Sequence, residues 1–166
     1  MKNTLIIFCF LIFSLCVAQN EKVNREAFTL NLAVDAEHDY SMKVEPTPYF
    51  VKEKVLQIYP SEKIFIEAEI KGDTIYSMKV VTKNTHPKNT IEIEFTQDAT
   101  DRTNITSMLI VKNPFDKTLN YNAFMYTPIS QKWKETSIIP IRPKLQNFET
   151  WPHAIITLVL DKWRFE

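Results

Sequence analysis

Glycine is almost missing from this chain: Gly72 is the only one in 166 residues. That scarcity excludes the dinucleotide fingerprint, the phosphate-cradling loop and the G-x-S-x-G nucleophile elbow. Each needs several glycines for close backbone approach or positive φ. Turns fall instead to Asn, Asp and the nine prolines, which bond their own backbone or preset φ. Cysteine is nearly as scarce, with only Cys9 and Cys16. Long basic runs are missing as well, and 20 basic residues balance 20 acidic ones. Nucleic acid and anionic membrane surfaces are therefore poor partners on charge grounds.

The first residues carry a different signal. Met1-Lys2-Asn3-Thr4 leads into an apolar run from Leu5 to Leu15, interrupted by Ser14 and followed by Cys16-Val17-Ala18. A basic start, a short apolar stretch and small residues before a cut predict a secretory signal peptide over residues 1–18. The run is shorter than the roughly 20 apolar residues of a permanent span, so no transmembrane segment is expected in the mature chain. Leu15 stands before Cys16, where bacterial lipoprotein signals have Gly, Ala or Ser, so a lipid-attachment role for Cys16 is the weaker reading. Export to the periplasm or beyond is expected, with the mature chain running from Gln19 to Glu166 as one domain. Both cysteines leave with the leader, so no disulfide, thiolate nucleophile or cysteine metal site is expected. Loss of Lys2 leaves the net charge at about −1. A chain of this size buries roughly 68–70% of its unfolded surface, which suffices for a self-supporting core.

Period-two alternation dominates the rest. Phe28, Leu30, Leu32 and Val34 share one strand face; Ile64, Ile66, Ala68 and Ile70 repeat the device; Ile91, Ile93 and Phe95 do so again. Lys71-Gly72-Asp73-Thr74 reads as a hairpin turn between two such runs. The stretch Asn104 to Lys112 reads as a strand buried on both faces, and Asn113-Pro114-Phe115-Asp116 as a turn. Leu119, Tyr121, Ala123 and Met125 continue the pattern, with further strands over Trp133 to Ile141 and Ala154 to Phe165. No segment carries a helical stripe. The prediction is an all-β, immunoglobulin-like antiparallel β-sandwich of eight or nine strands, with a β-barrel as the alternative.

The pentapeptide Tyr-Ser-Met-Lys-Val occurs at residues 40–44 and again at 76–80. A tandem duplication would carry likeness into the flanks, and these flanks do not match. The echo reads as two half-buried strands, each turning Tyr, Met and Val to one face.

Asp35, Glu37, His38 and Asp39 form the densest set of candidate metal ligands. Carboxylates would suit calcium, and a histidine with carboxylates zinc or manganese. The set lacks a glycine-turned loop and a second histidine, so a solvated turn is the favoured reading and no cofactor is expected. Glu149, His153 and Asp161 near Trp151 evoke paired-acid glycoside chemistry, but Phe148 and Trp151 read better as core or corner residues. His86 falls in a hairpin tip. The sequon Asn104-Ile105-Thr106 matters only in a eukaryotic secretory route and is expected inside a strand. Tyr40, Tyr49, Phe50 and Tyr59, read as exposed, flank Glu45-Pro46-Thr47-Pro48, a proline-marked stretch suited to a recognition edge. Their competing reading is a cap on one end of the sandwich.

The Lys- and Asn-rich composition and the Val17-Ala18-Gln19 junction resemble small exported proteins of Gram-negative bacteria. The segments Asn113-Pro114-Phe115-Asp116-Lys117 through Phe148-Glu149-Thr150-Trp151-Pro152 are similar to uncharacterised proteins of that kind with immunoglobulin-like sandwiches. The resemblance implies architecture and brings no catalytic residue with it. Taken together, the expectation is a non-enzymatic exported module that binds a protein or envelope component. The alternatives are a barrel that holds an apolar small molecule and, further off, an envelope glycan hydrolase using Glu149.

Overall fold

The computed structural model describes residues 23–166, so the expected leader and its cut lie outside them. The described elements are all strands: β1 (Phe28–Ala33), β2 (Asp39–Val44), β3 (Phe50–Lys52), β4 (Val55–Ile58), β5 (Glu62–Lys71), β6 (Thr74–Val81), β7 (Thr90–Asp98), β8 (Thr106–Lys112), β9 (Leu119–Tyr126), β10 (Trp133–Thr136), β11 (Gln146–Trp151) and β12 (Thr157–Phe165). No helix among these residues is long and apolar enough to cross a membrane.

Two five-stranded antiparallel sheets face each other, in the orders β10-β9-β12-β4-β3 and β11-β8-β7-β5-β6. Neither closes on itself, so the barrel alternative gives way to an open sandwich. Alternation places the core. Leu56, Ile58, Ala123, Leu158 and Leu160 meet Ile64, Ile66, Ile91, Ile93, Phe95 and Leu109 across the inter-sheet space. Each such large side chain contributes about 1.5–3 kcal/mol by leaving water. Phe95 shows no exposed surface, and truncating it to Ala would cost about 3–5 kcal/mol.

The third sheet is the hairpin β1-β2. Its Leu30, Leu32 and Val44 pack on Tyr59 and Ile156, with Phe28, Tyr40, Met42 and Tyr126 around them. Gln97, near the end of β7, donates to the Ala33 carbonyl at 2.9 Å and accepts from the Ala33 N–H at 3.0 Å. The small sheet therefore caps one end of the sandwich, where the β4–β5 turn, the end of β7 and the start of β12 converge.

Four expectations need correction. There are twelve strands rather than eight or nine, because β3, β4 and β11 carry no clean alternation of their own. The strand expected over 133–141 stops at Thr136. Pro140 has no N–H for a ladder, and Ile141 returns only as an isolated bridge to Leu119. Asn104 lies exposed in the turn before β8 rather than inside a strand. Finally, the second Tyr-Ser-Met-Lys-Val copy does not turn its tyrosine inward. The register slips between Glu69 and Ile70, with Ile70 opposite Ile75 but Glu69 opposite Ser77. Tyr76 is the bulged residue, 53% exposed, while Ile75 takes the buried place. The first copy keeps the expected faces.

Other turns form as their residues dictate. Gly72 sits at φ +60° between Lys71 and Thr74, which pair directly, as a glycine at the first central position of a two-residue hairpin loop should. A second bulge, at Lys162 with φ 51°, shifts the face of β12 so that Trp163, not Lys162, enters the core. Asn113, 1% exposed, accepts the Phe115 N–H at 2.9 Å and donates to the carbonyls of Lys117, Ile141 and Arg142. One buried amide thus ties the β8–β9 turn to the connector that follows β10.

Candidate binding cleft

An open sandwich has two flanks where edge strands of the facing sheets lie side by side: β3 beside β6, and β10 beside β11. At the first flank, register sets which side chains enter the gap. Phe50 pairs with fully buried Leu56, and Met78 and Val80 pair with buried Ala68 and Ile66. All three therefore point inward. They stay half-buried against the core because β3, three residues long, is too short to roof them. The result is a cleft of about 380 Å³ with Val23 and Pro48 also on its walls and Lys52, Glu53, Lys54 and Lys79 around it. Lys54, at φ 52° in the β3–β4 turn, donates from Nζ to the Ile75 carbonyl at 3.1 Å. That bond bridges the two sheets at the edge of the cleft.

Arg25 positions the wall of the cleft. Its side chain is 1% exposed, and its Nε donates to Glu62 Oε1 at 2.9 Å. Nη1 donates to Thr47 Oγ1 at 2.8 Å and Nη2 to the Gln57 carbonyl at 2.7 Å. The guanidinium lies 4.7 Å from the Tyr49 ring and 5.0 Å from the Tyr59 ring, the geometry of a cation–π contact. Glu62 Oε2 also accepts the Tyr59 N–H at 2.7 Å. A buried charge is tolerated only when paired and hydrogen-bonded, and this one has both. The Arg25 N–H donates to the Thr47 carbonyl at 3.0 Å, and Asn24 bridges Pro48. The segment that carries Val23 is thereby fastened to the stretch that carries Pro48.

Of the four aromatic residues expected as an exposed recognition edge, Phe50 alone lines the cleft. Tyr59 is only 9% exposed and serves the end cap and the Arg25 stack. Tyr49 is half-buried beside Arg25, and Tyr40 is half-buried in the cap, its hydroxyl 3.5 Å from Met42 Sδ. Burial, with the nearby Glu62 carboxylate adding to it for Tyr49, pushes the Tyr49 and Tyr59 hydroxyls above their ordinary pKa of 10.0. Phe50 thus lies in the cleft wall, Tyr40 and Tyr59 lie in the end cap, and Tyr49 lies beside Arg25. Met78, Val80 and the lysines gave no functional signal in sequence beyond a half-buried strand. Arg25, a lone charge ahead of β1, gave none.

The flank at β10 and β11 is built differently. Lys134 is opposite Met125 and Glu149 opposite Leu109, so both edge strands send a charged residue toward the inter-sheet side. The connector after β10 runs beside β11: the Ile139 N–H donates to Glu149 Oε1 and Asn147 Nδ2 to the Ile139 carbonyl, each at 2.9 Å. Trp151 Nε1 donates to Thr136 Oγ1 at 2.9 Å across the gap. A recess of about 520 Å³ remains, lined by residues such as Ser130, Lys134, Thr136 and His153. The exposed apolar side chains nearby do not share one surface. Trp133 lies on the outer face of one sheet against Tyr126, and Phe148, opposite half-buried Ile110, on the outer face of the other.

The remaining candidates are accounted for by local bonding. Asp35 Oδ1 accepts the N–H groups of Glu37 and His38 at 2.9 and 2.8 Å, which hold its pKa down at about 2. His38 Nδ1 lies 2.9 Å from the same carboxylate. Arg102 reaches from the β7–β8 turn to Asp39 Oδ1 and to the carbonyls of Asp35 and His38. The four residues form a braced turn, and among the described residues no three His, Cys, Asp or Glu side chains converge as a metal set. Glu149 and Asp161 sit in different sheets, Glu149 facing the gap and Asp161 opposite Asn122 on an outer face. His86 contacts Glu67 Oε2 at 3.2 Å in the β6–β7 connection.

No family model, curated protein or solved structure matches the chain.

Proposed function

We propose that this chain is an exported, non-enzymatic binding module of a bacterial envelope that holds a protein partner at its β3/β6 flank. Export follows from the leader read over residues 1–18, and the immunoglobulin-like kinship from the turn and corner segments near Asn113 and Trp151. The observation that supports the binding role is the cleft itself: three inward-facing apolar side chains, Phe50, Met78 and Val80, left half-buried beside the unpaired edge of β6. Unpaired edges invite pairing with another chain, and interfaces anchor on aromatic and Met side chains with a polar rim.

The test is crosslinking and capture with tagged Gln19–Glu166 from its own cell envelope, beside a variant with Phe50→Ser and Val80→Ser. One partner in constant ratio, recovered by the parent and lost by a variant that still unfolds cooperatively, is the expected result. Equal recovery by both chains would place the partner elsewhere and overturn the assignment of the cleft.

A further inference from the structure

We infer that the occupant of the cleft is an extended acidic segment of a partner protein that adds a strand to the free edge of β6, an inference that rests on the binding-module reading above. Three observations converge on it.

The first is backbone. β6 is eight residues long and pairs with β5 alone, from Lys71–Thr74 to Phe65–Val81. Among the described residues its other side has no strand, so alternate N–H and C=O groups there are directed away from the sheet. At about 3.3 Å per residue, the edge offers roughly 26 Å, room for a segment of seven or eight residues.

The second is the alternation of the surface beside that edge. A strand laid along β6 would send every other side chain into the cleft, next to Met78, Val80 and Phe50. The intervening side chains would lie over the outer face, next to Ser77 and Lys79. Main-chain bonds would supply the grip and alternate pockets the selectivity, as in strand addition generally.

The third is charge. Lys52, Lys54 and Lys79 surround the apolar floor, against Glu53 alone. Lys79 reaches Glu67 at only 3.5 Å, and that carboxylate also takes His86. Lys54 spends its ammonium on the Ile75 carbonyl. An incoming strand would replace that bond with one of its own N–H groups and set its carboxylates beside Lys79 on the outer face. A second copy of this chain fits less well, since Thr74–Val81 brings one lysine and no carboxylate to set beside Lys79. Like charges opposed across strands destabilise the pair. The occupant that matches alternates apolar and acidic residues.

The experiment uses isotope-labelled Gln19–Glu166 and three capped eight-residue peptides. One alternates valine and glutamate, one alternates valine and lysine, and the third is the glutamate peptide N-methylated along one edge. The expected result is saturable binding of the glutamate peptide, with resonance shifts at Phe50, Met78 and Val80. Exchange of β6 edge amides should slow at least 10-fold. The lysine and N-methylated peptides should bind at least 10-fold more weakly, and Lys79→Glu should reverse the preference between the two charged peptides. Equal binding of both charged peptides would overturn the acidic class. Cleft shifts without slowed β6 exchange would overturn strand addition and leave the binding module standing. The same follows if no peptide binds while the envelope partner is still captured through Phe50 and Val80. Slowed β6 exchange in the free protein, appearing only at concentrations where it sediments as a dimer, would assign the edge to a second copy instead.

Discussion

At the flank formed by β10 and β11, a recess of about 520 Å³ is guarded by charge and side-chain bonds: Lys134 and Glu149 face the gap, Trp151 bonds Thr136 across it, and the connector through Ile139 bonds to β11. At the flank formed by β3 and β6, the residues facing the gap are Phe50, Met78 and Val80, and Lys54 bonds the Ile75 carbonyl on the β6 edge. Inward-pointing charge and a covering loop are two standard ways to keep a sheet edge from pairing with another chain. One flank uses both. The other uses a single lysine whose bond an incoming strand can replace. Two edges of one fold thus differ in what guards them, and on the reading proposed above the less guarded one accepts a partner.

The comparison can be broken at its supports, and the largest effect belongs to Arg25. Arg25→Ala strands Glu62 in a buried site and removes the stack with Tyr49 and Tyr59, so stability should fall by about 3–5 kcal/mol in urea unfolding. Partner capture should weaken with it, because Val23 and Pro48 lose their anchor. A loss below about 1 kcal/mol would mean that Arg25 does not hold the cleft wall. Asn113→Ala is the matching cut at the other flank. It takes the donor from the Lys117 carbonyl and the acceptor from the Phe115 N–H, while the Ile141 and Arg142 carbonyls keep the Leu119 and Leu145 N–H groups, and should cost about 1–3 kcal/mol. Hydrogen exchange should localise the damage to the connector around Ile141, with β6 unaffected.

Removing the guards sharpens the contrast. Lys134→Val with Glu149→Val should change stability by no more than about 1 kcal/mol, yet sedimentation should now show more self-association than the parent at the same concentration. Unchanged sedimentation would deny the two charges their guarding role. The smallest effect lies at the end cap, away from both flanks. Asp35 has its pKa lowered from 3.8 to about 2 by the Glu37 and His38 N–H groups. A carboxylate depressed on folding stabilises above its unfolded pKa and loses that contribution as pH falls through its folded value. As the pH falls through about 2, the Glu37 and His38 amide resonances of the folded chain should therefore move together. Asp35→Asn should remove that titration and leave the cleft resonances unchanged.

Much of the sandwich was legible because burial on one face imposes period two. Ile64, Ile66 and Ala68, or Leu119, Tyr121 and Ala123, could be assigned to the core from spacing alone, and the Gly72 hairpin from the one glycine. The rest failed for identifiable reasons. β11 hides because its inward positions are Asn147, Glu149 and Trp151 while Phe148 faces out, the reverse of the hydrophobic pattern. Tyr76 and Lys162 defeat alternation because a bulge moves one residue out of step, and a bulge leaves no mark in composition. The cleft was half visible: Phe50 lay in the proline-marked stretch, but Met78 and Val80 come from a strand 28 or more residues away in the other sheet, brought beside it only by the packing of the two sheets. Arg25 had no local signal at all, since its partners Thr47, Gln57 and Glu62 are brought to it by tertiary structure.

The central claim is that the two flanks differ in what they admit, and site-specific photocrosslinking tests it most directly. A photoreactive residue is placed in turn at Phe50, Met78, Lys134 and Ile139 of the full chain, and the cells are irradiated. The account predicts one shared adduct from positions 50 and 78 and none from 134 and 139. An adduct confined to 134 and 139 would give the binding role to the recess beside β10 and β11 and contradict it.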